Sequence, residues 1–235
     1  MVIKVIAFDL DDTLWAVKPV IIRAEQRLDS WLKTHVPELR YDVHSMRELR
    51  HELLRQEPEL GKKITELRRR IIQQAMRMSD ISSRRATHLA NEAIEVFLAA
   101  RNDIQFFAGA LASLEELSKR YVLGALSNGN ADIRRIGLEG IFTFAFSAEI
   151  VGAPKPDPRL FHAALAHTRT QPTEMVYVGD DPKLDIDAAK RVGLHTIWMK
   201  NPERIEAGET VADEAIDDIS DLPAAVNRLH EKVGI

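Results

Sequence analysis

The sequence predicts an α/β protein in which a doubly wound parallel-sheet core carries an inserted α-helical domain. Three observations support this: an apolar run at 2–8, a wholly helical pattern over about 17–101, and apolar runs that alternate with helical patterns afterwards. Strands that alternate with helices are typical of parallel sheets. We therefore expect an α/β core formed by 1–15 and 104–235, and a helical domain formed by 16–103.

The first strand and the helical insertion are predicted from the spacing of apolar residues. Residues 2–8 are rich in Val, Ile and Phe and stop at Asp9, which suits a central parallel strand buried on both faces. Apolar residues then recur at helical spacing in four segments. These segments are 21–32 with Pro19 in the first turn, 46–54, 64–78, and 86–98 with Ser82 or Ser83 as N-cap.

Beyond the insertion, strands and helices are predicted in alternation. The predicted strands are 121–126, 142–146, 175–178 and 195–199. The predicted helices are 110–119, 131–137, 159–167, 184–192 and a last one at 223–230. The acidic stretch at 213–221 is predicted to be a surface loop that leads into the last helix.

Composition and charge exclude several classes of protein. Apolar residues make up 45% and charged residues 29% of the 235 residues, both ordinary for a globular chain. The formal net charge of −4 lacks the basic excess of a nucleic-acid-binding protein. The absence of cysteine excludes disulfides, thiolate metal sites and a cysteine nucleophile.

The sequence contains neither a signal-peptide pattern nor a membrane-span pattern. The apolar N-terminal segment is short and lacks a small-residue cleavage site, so it indicates a buried strand. No uncharged apolar run is long enough to span a bilayer. We expect a soluble, cytoplasmic protein with no nucleic-acid or membrane partner. Its oligomeric state stays open between a monomer and a homodimer.

Polar side chains follow three of the predicted strands at the point where each strand ends. Asp9 and Asp11 follow the first strand, Ser127 and Asn128 follow the second, and Asp180 follows the strand at 175–178. In open parallel sheets, ligands bind beyond the carboxyl ends of the strands. The sequence therefore predicts a site in which carboxylates, a hydroxyl and an amide meet at one edge.

The pair Asp9 and Asp11 suits the hydrolysis of a phosphate ester. One carboxylate can attack phosphorus to form an acyl phosphate, which water can cleave. The second can give a proton to the leaving alkoxide and then take one from the attacking water. The substrate partner is then a small phosphorylated metabolite.

Repulsion between a carboxylate and a phosphate dianion calls for positive charge. Mg²⁺ is the natural cation for a few carboxylates and several waters, with Asp180 as an additional ligand. Asp185 could order metal-bound waters from the second shell, and Asp181 is either a further member of that shell or a helix cap. Lys155, in a proline-rich loop, could neutralise the nucleophile, while Ser127 and Asn128 donate to phosphate oxygens.

These residues resemble the four motifs of the haloacid dehalogenase superfamily in order and spacing. The motifs are Asp-Leu-Asp-Asp-Thr-Leu at 9–14, Ser127, Lys155, and Gly-Asp-Asp-Pro-Lys-Leu-Asp at 179–185. The resemblance implies a Rossmann-like core, and it implies that the helical insertion is a cap over the active site. It also implies catalytic roles for Asp9, Asp11 and Lys155, and phosphoryl binding by Ser127 and Lys155. The metal would be bound by Asp9, Asp180 and the backbone carbonyl of Asp11.

A closer similarity is to a bacterial subgroup of this superfamily. That subgroup includes a flavin-pathway phosphatase acting on 5-amino-6-(5-phospho-D-ribitylamino)uracil and FMN, which would place the chain in riboflavin biosynthesis. Pro154 before Lys155 departs from the pattern of that enzyme and leaves the substrate open. The similarity is carried by Thr-Leu-Trp at 13–15, Lys-Pro-Val-Ile-Ile-Arg at 18–23, Gln-Glu-Pro-Glu-Leu at 56–60 and Ser-Asn-Gly-Asn-Ala at 127–131.

Other activities of the superfamily stay as alternatives at this stage. A departing halide needs no proton and dehalogenases lack the second aspartate, whereas this chain has Asp11. A phosphomutase has similar motifs, and a non-catalytic phospholigand-binding protein would have lost a carboxylate or the lysine. The sequence leaves open whether Asp12 makes a structural hydrogen bond or supports the active site. It also leaves open whether Trp15, Glu57 and Glu59 are structural or touch the substrate.

Overall fold

The computed structural model describes residues 2–202 and 207–233, and their contacts divide them into two compact units. The α/β unit contains the described residues up to Ala16, Gln105–Gly129 and those from Ile136 onward, and the helical unit contains Val17–Ile104 and Asn130–Arg135. The domain boundaries predicted from the sequence stay a prediction. They also include residues 1, 203–206 and 234–235, which lie outside the described part of the chain.

The helical unit contains the four helices expected from the apolar spacing. They are α1 (Val17–His35), α2 (Met46–Gln56), α3 (Ile64–Met78) and α4 (Ser83–Arg101), with a short 3₁₀ helix at Pro58–Lys62. Their apolar stripes meet in one buried core that includes Leu28, Ile72 and Phe97. Across the described chain, no helix is long and apolar enough to cross a membrane.

The α/β unit contains a parallel sheet of six strands, which confirms the predicted fold class. The strands are β1 (Val5–Phe8), β2 (Val122–Ser127), β3 (Phe144–Ser147), β4 (Met175–Gly179), β5 (His195–Met199) and β6 (Glu214–Ile216). Their order in the sheet is β3-β2-β1-β4-β5-β6. Because β1 is central and flanked on both sides, all four of its residues are buried, as its apolar composition predicted.

The α/β unit contains five α-helices among its described residues. They are α5 (Ala110–Ser118), α6 (Ala148–Val151), α7 (Arg159–Thr168), α8 (Ala188–Val192) and α9 (Leu222–Val233). The predicted helix at 184–192 begins as a wide π-helical turn at Pro182–Asp187 before α8. The short α6 was not predicted, and it carries the chain from β3 into the loop that contains Lys155.

The predicted helix at 131–137 is wrong, because the chain forms turns there. Gly137 has a φ of 78°, in the left-handed region, which cannot continue a right-handed helix. The Asp132 carboxylate accepts a hydrogen bond from the backbone N–H of Arg134 at 2.9 Å. Local side-chain bonds of this kind offer the backbone an alternative to a helix.

The prediction that 213–221 is a surface loop is also wrong, since β6 lies within it. β6 has three residues and pairs with β5, in parallel. A three-residue strand at a sheet edge, within an acidic stretch, has no apolar alternation long enough to reveal it. Glu214 at its start forms ion pairs with Arg228 and Lys232 of α9.

Asp213, just before β6, joins β5 to α8 through a polar cluster. Its carboxylate accepts hydrogen bonds from the backbone N–H of Thr196 at 2.8 Å and from Lys190 Nζ at 2.6 Å. Burial alone would raise the pKa of Asp213, but the nearby His195 ring, Lys190 and Thr196 lower it below its ordinary value. The cluster therefore stabilises this edge of the sheet when Asp213 is ionised.

Candidate active site

The candidate site lies at the carboxyl edge of the sheet, around Asp9. Since β1 lies between β2 and β4, Asp9 follows the central strand, Ser127 ends one neighbour, and Asp180 follows the other. The backbone N–H of Asp9 donates to the carbonyl oxygen of Val178 at 2.8 Å, which continues the pairing of β1 with β4. The structure thus brings the three predicted strand ends to one edge.

Lys155 is a buried cation at the centre of this site. Its Nζ donates to Asp9 Oδ1, Asp185 Oδ1 and the Tyr177 hydroxyl, and each distance is 2.7 Å. Only 3% of the Lys155 side chain is exposed, so its charge depends on these oxygens in place of water. The lysine predicted to neutralise the nucleophile is therefore in direct contact with Asp9.

The loop that carries Lys155 is attached to the end of β2 by Asn128. The backbone N–H of Lys155 donates to Asn128 Oδ1 at 2.7 Å, and Asn128 Nδ2 donates to the Lys155 carbonyl at 3.0 Å. Ser127 Oγ accepts from the backbone N–H of Gly129 at 2.9 Å, which leaves the hydroxyl hydrogen to donate elsewhere. The phosphate-binding roles of Ser127 and Asn128 stay predictions.

Asp185 is held in place by several donors. Besides Lys155, the Tyr177 hydroxyl lies 3.3 Å from Asp185 Oδ1, and the backbone N–H of Asp181 donates to Oδ2 at 2.9 Å. The Asp181 carboxylate caps the π-helical turn by accepting from the N–H groups of Lys183 and Leu184. Asp185 therefore contacts the lysine directly, and the predicted ordering of metal-bound waters by Asp185 and Asp181 stays a prediction.

Burial and charge shift the pKa values of the groups in this cluster. Burial raises the pKa of Asp9 well above its ordinary value, with Lys155 acting in the opposite direction and Asp185 adding to the rise. Burial would lower the pKa of Lys155, but Asp185 and Asp9 outweigh it and raise that pKa. Burial and the same two carboxylates raise the pKa of Tyr177, so its hydroxyl stays neutral.

Three carboxylates of the site could hold a metal ion. Asp9, Asp180 and Asp185 each offer an oxygen, and these oxygens lie within 4.8 Å of one another. A buried set of anionic oxygens fits a hard divalent cation such as Mg²⁺, which would also favour the ionised form of Asp9. Both Asp185 oxygens accept short hydrogen bonds, whereas Asp180 accepts long ones from Thr13 at 3.4 Å and Asn201 at 3.5 Å. Asp9 and Asp180 stay the predicted direct ligands.

Asp11 lies in the turn after β1 and is partly buried. Its Oδ1 accepts a hydrogen bond from Trp15 Nε1 at 3.0 Å. Asp12 has a φ of 58°, and its backbone N–H donates to the Trp15 carbonyl at 2.8 Å, so this residue shapes the turn. The group of three carboxylates does not include the Asp11 side chain, and metal binding through the Asp11 carbonyl stays a prediction.

The sequence analysis missed several residues that contact the site. Tyr177 contacts Lys155 and Asp185, and Trp198 Nε1 donates to the Asp180 carbonyl at 3.0 Å. A tyrosine within an otherwise apolar buried strand was a usable signal, because its hydroxyl needs a partner there. Trp198 gave no comparable signal, since its place opposite Gly179 depends on how β4 and β5 pair.

Glu57 and Glu59 belong to the helical unit, where each has a basic partner. Glu57 pairs with Arg70 of α3, and Glu59 pairs with Lys62 in the 3₁₀ helix. These ion pairs explain both side chains without a substrate. A contact with substrate by Glu57 or Glu59 stays a prediction.

Comparisons with known proteins agree with the motifs. A family model described as haloacid dehalogenase-like hydrolase matches residues 3–193. The 5-amino-6-(5-phospho-D-ribitylamino)uracil phosphatase YigB of Escherichia coli K12 is 32% identical over 209 residues, which cover 88% of this chain and 87% of that protein. The phosphoserine phosphatase of Thermus thermophilus is 31% identical over 161 residues, 66% of this chain and 63% of that protein.

A solved structure with the same fold carries a different name. The crystal structure of a 2-haloacid dehalogenase from Pseudomonas syringae pv. Tomato DC3000 is 38% identical in sequence and superposes with a TM-score of 0.92. The match covers 97% of this chain and 99% of that one. The similar proteins thus have two kinds of named activity, which share one fold.

Proposed function

This chain is a phosphatase of the haloacid dehalogenase-like hydrolase family, and we propose that it hydrolyses a small phosphate monoester with Mg²⁺ through an aspartyl phosphate on Asp9. The observation that carries the proposal is the buried Lys155 ammonium, 2.7 Å from Asp9 Oδ1. The carboxylate nucleophile and the phosphate dianion are both negatively charged. A fixed cation at this distance supports their approach by reducing the repulsion.

The reaction proceeds in two steps through Asp9 and Asp11. A carboxylate oxygen of Asp9 attacks phosphorus while the ester P–O bond breaks, and Asp11 gives its proton to the departing alkoxide. Asp11 then takes a proton from a water molecule, whose oxygen attacks the phosphorus of the acyl phosphate. Inorganic phosphate leaves, and Asp9 and Asp11 return to their starting forms.

Other side chains of the site support these steps. Asp185 orients Lys155, while the Ser127 hydroxyl hydrogen and the second Asn128 amide hydrogen are available for phosphoryl oxygens. Asp9, Asp180 and the Asp11 carbonyl would hold Mg²⁺. When bound, Mg²⁺ supplies positive charge that reduces the repulsion between the nucleophile and the phosphoryl group.

For the substrate, we propose 5-amino-6-(5-phospho-D-ribitylamino)uracil, with FMN as the alternative. The support is the identity with the Escherichia coli phosphatase of that name, which spans 88% of this chain and therefore includes sequence from both units. This substrate would assign the chain to riboflavin biosynthesis, and we propose a cytoplasmic location. A shared fold does not fix a substrate, so a panel of phosphates has to decide.

Dehalogenation is the second candidate, because the Pseudomonas syringae structure carries that name. Asp11 argues against it: a departing halide needs no proton, and dehalogenases of the superfamily lack the second aspartate. A phosphomutase is disfavoured because the two relatives reported above are named phosphatases. A non-catalytic binding role is disfavoured because Asp9, Asp11 and Lys155 are all present.

The test is phosphate release from a substrate panel with Mg²⁺, with halide release from a 2-haloacid measured in parallel. The panel contains 5-amino-6-(5-phospho-D-ribitylamino)uracil, FMN, phosphoserine, sugar phosphates and nucleotides. Asp9→Asn is expected to lower kcat by roughly 10⁴-fold or more, as the loss of a nucleophile does in other hydrolases. Asp217→Asn is the control, because this surface aspartate is 81% exposed, and it should retain wild-type activity.

Each outcome of the panel decides one part of the proposal. The proposed substrate is supported if kcat/KM is highest for the ribitylamino compound. If another phosphate has the highest kcat/KM, the proposed substrate is wrong but the phosphatase reaction stands. Turnover by Asp9→Asn close to wild type overturns the nucleophile. Halide release without phosphate release would show that the chain is a dehalogenase. Isomer formation without phosphate release would show that it is a mutase.

A further inference from the structure

Trp15 belongs to the α/β unit and is buried, with its indole N–H directed at Asp11. The residue is fully buried, and its Nε1 donates to Asp11 Oδ1 at 3.0 Å. Phe106 packs edge-on against the indole, with ring centroids 5.8 Å apart and an interplanar angle of 81°. These contacts with Asp11 and Phe106 support a structural role, one of the two roles that the sequence left open for Trp15.

The backbone around Trp15 is fixed on both sides. The Asp12 N–H donates to the Trp15 carbonyl at 2.8 Å, and the Phe107 N–H donates to the Leu14 carbonyl at 2.9 Å. The backbone of Trp15 also forms isolated β-bridges with those of Asp11 and Phe106. The direction of the indole N–H is therefore set by the turn after β1 and by the segment that leads into α5.

From this geometry we infer that Trp15 is a positioning residue for Asp11, which fixes the carboxyl group that transfers the proton. The inference rests on the proposed function, in which Asp11 is the acid and base. An indole N–H only donates, so Oδ1 accepts, and this hydrogen bond fixes the orientation of the Asp11 carboxyl group. A buried indole N–H needs an acceptor, and Asp11 is that acceptor.

The consequence is a rate that depends on the leaving group. The kcat/KM value covers the steps up to the departure of the leaving group, when Asp11 gives its proton. An alkoxide needs that proton, whereas p-nitrophenolate leaves readily without it. A misplaced acid therefore slows an alkyl phosphate more than an aryl phosphate, whereas general damage to the site slows both equally.

The experiment compares Trp15→Phe, Asp11→Asn and wild type on p-nitrophenyl phosphate and on the alkyl phosphate that wild type hydrolyses fastest. For the alkyl phosphate, Asp11→Asn should lower kcat/KM by roughly 10²- to 10⁴-fold, the usual contribution of a general acid. Trp15→Phe should lower it by roughly 10- to 100-fold, as small misplacements do. On the aryl phosphate, Trp15→Phe should stay within about threefold of wild type. Trp31→Phe, in the helical unit, is the matched control.

A second measurement does not depend on the folding of Trp15→Phe. In the ¹⁵N spectrum of wild type and Asp11→Asn, the indole N–H resonance of Trp15 should move and those of Trp31 and Trp198 should not. An unmoved Trp15 resonance, or an equal loss of kcat/KM on both esters, overturns the positioning role. Failure of the proposed function has a different signature: Asp9→Asn would remain active, or wild type would hydrolyse neither ester.

Discussion

Replacing Lys155 by methionine tests how strongly the buried ammonium holds the site together. The side chains of Lys155, Asp9 and Asp185 are 3%, 12% and 1% exposed, so water can replace little of what these partners provide. Lys155→Met keeps the length of the side chain but leaves two buried carboxylates without their shared cation. Breaking a buried pair from one side costs roughly 3–5 kcal/mol, and we expect the free energy of unfolding to fall by that amount.

The assay is urea unfolding in EDTA at pH 7, so that no bound metal contributes. With an m value of about 3 kcal/mol/M, a loss of this size lowers the midpoint by about 1–2 M urea. Lys200→Met is the matched control, because Lys200 and Asp217 are also an ion pair at 3.1 Å but are 42% and 81% exposed. Exposed pairs contribute roughly 0–1 kcal/mol, so the control should barely move.

The double variant Asp9→Asn/Lys155→Met separates lost charge balance from lost packing. Removing the charge of Asp9 as well should restore part of the stability, since one of the two unpaired buried charges is gone. The reasoning is refuted if Lys155→Met unfolds within about 1 kcal/mol of wild type, the range of an exposed pair. It is also refuted if the double variant loses more free energy of unfolding than the two single variants lose together.

The remaining expectations concern a glycine, an edge carboxylate and the metal. A Cβ at Gly179 would lie 2.4 Å from Asp185 Oδ2, so Gly179→Ala should displace that carboxylate and lower kcat by roughly 100-fold, as small misplacements do. Gly140→Ala is the control and should leave kcat unchanged, because a Cβ there would enter open space. Asp213→Asn should cost about 2 kcal/mol in urea unfolding at pH 7. Because the pKa of Asp213 is lowered in the folded state, the stability difference between wild type and Asp213→Asn should persist above the unfolded pKa of about 4 and shrink as the pH falls further. An unchanged stability difference at pH 3 would contradict this explanation. EDTA should abolish phosphate release and Mg²⁺ should restore it, and hydrolysis that continues in EDTA argues against a metal.

The sequence by itself determined the fold class and the edge at which the site lies. Apolar spacing predicted α1 to α4 closely, because each helix buries a stripe that recurs with the helical period. The parallel sheet then required the residues after β1, β2 and β4 to meet, which predicted the proximity of Asp9, Ser127 and Asp180. The motifs also predicted the family, and the family model that matches residues 3–193 confirms it.

The two wrong secondary-structure predictions, at 131–137 and 213–221, fall where the local sequence pattern is weak. The edge strand β6 has only three residues and lies in an acidic stretch, so no alternation revealed it. At 131–137 the apolar residues suggested a helix, but Gly137 in the left-handed region and the side chain of Asp132 favour turns. In both places, local hydrogen bonds and edge pairing outweighed the propensity of the segment.

Only the tertiary structure decided which side chains contact one another within the site. Lys155 is 22 residues from Tyr177 and 30 from Asp185, yet its ammonium lies 2.7 Å from both. The contact of Trp15 with Asp11 spans four residues, and Phe106, from beyond the helical insertion, packs against the same indole. Spacing along the chain predicts helical periods and strand ends, whereas contacts between loops depend on how the strands are ordered and how the side chains around them pack.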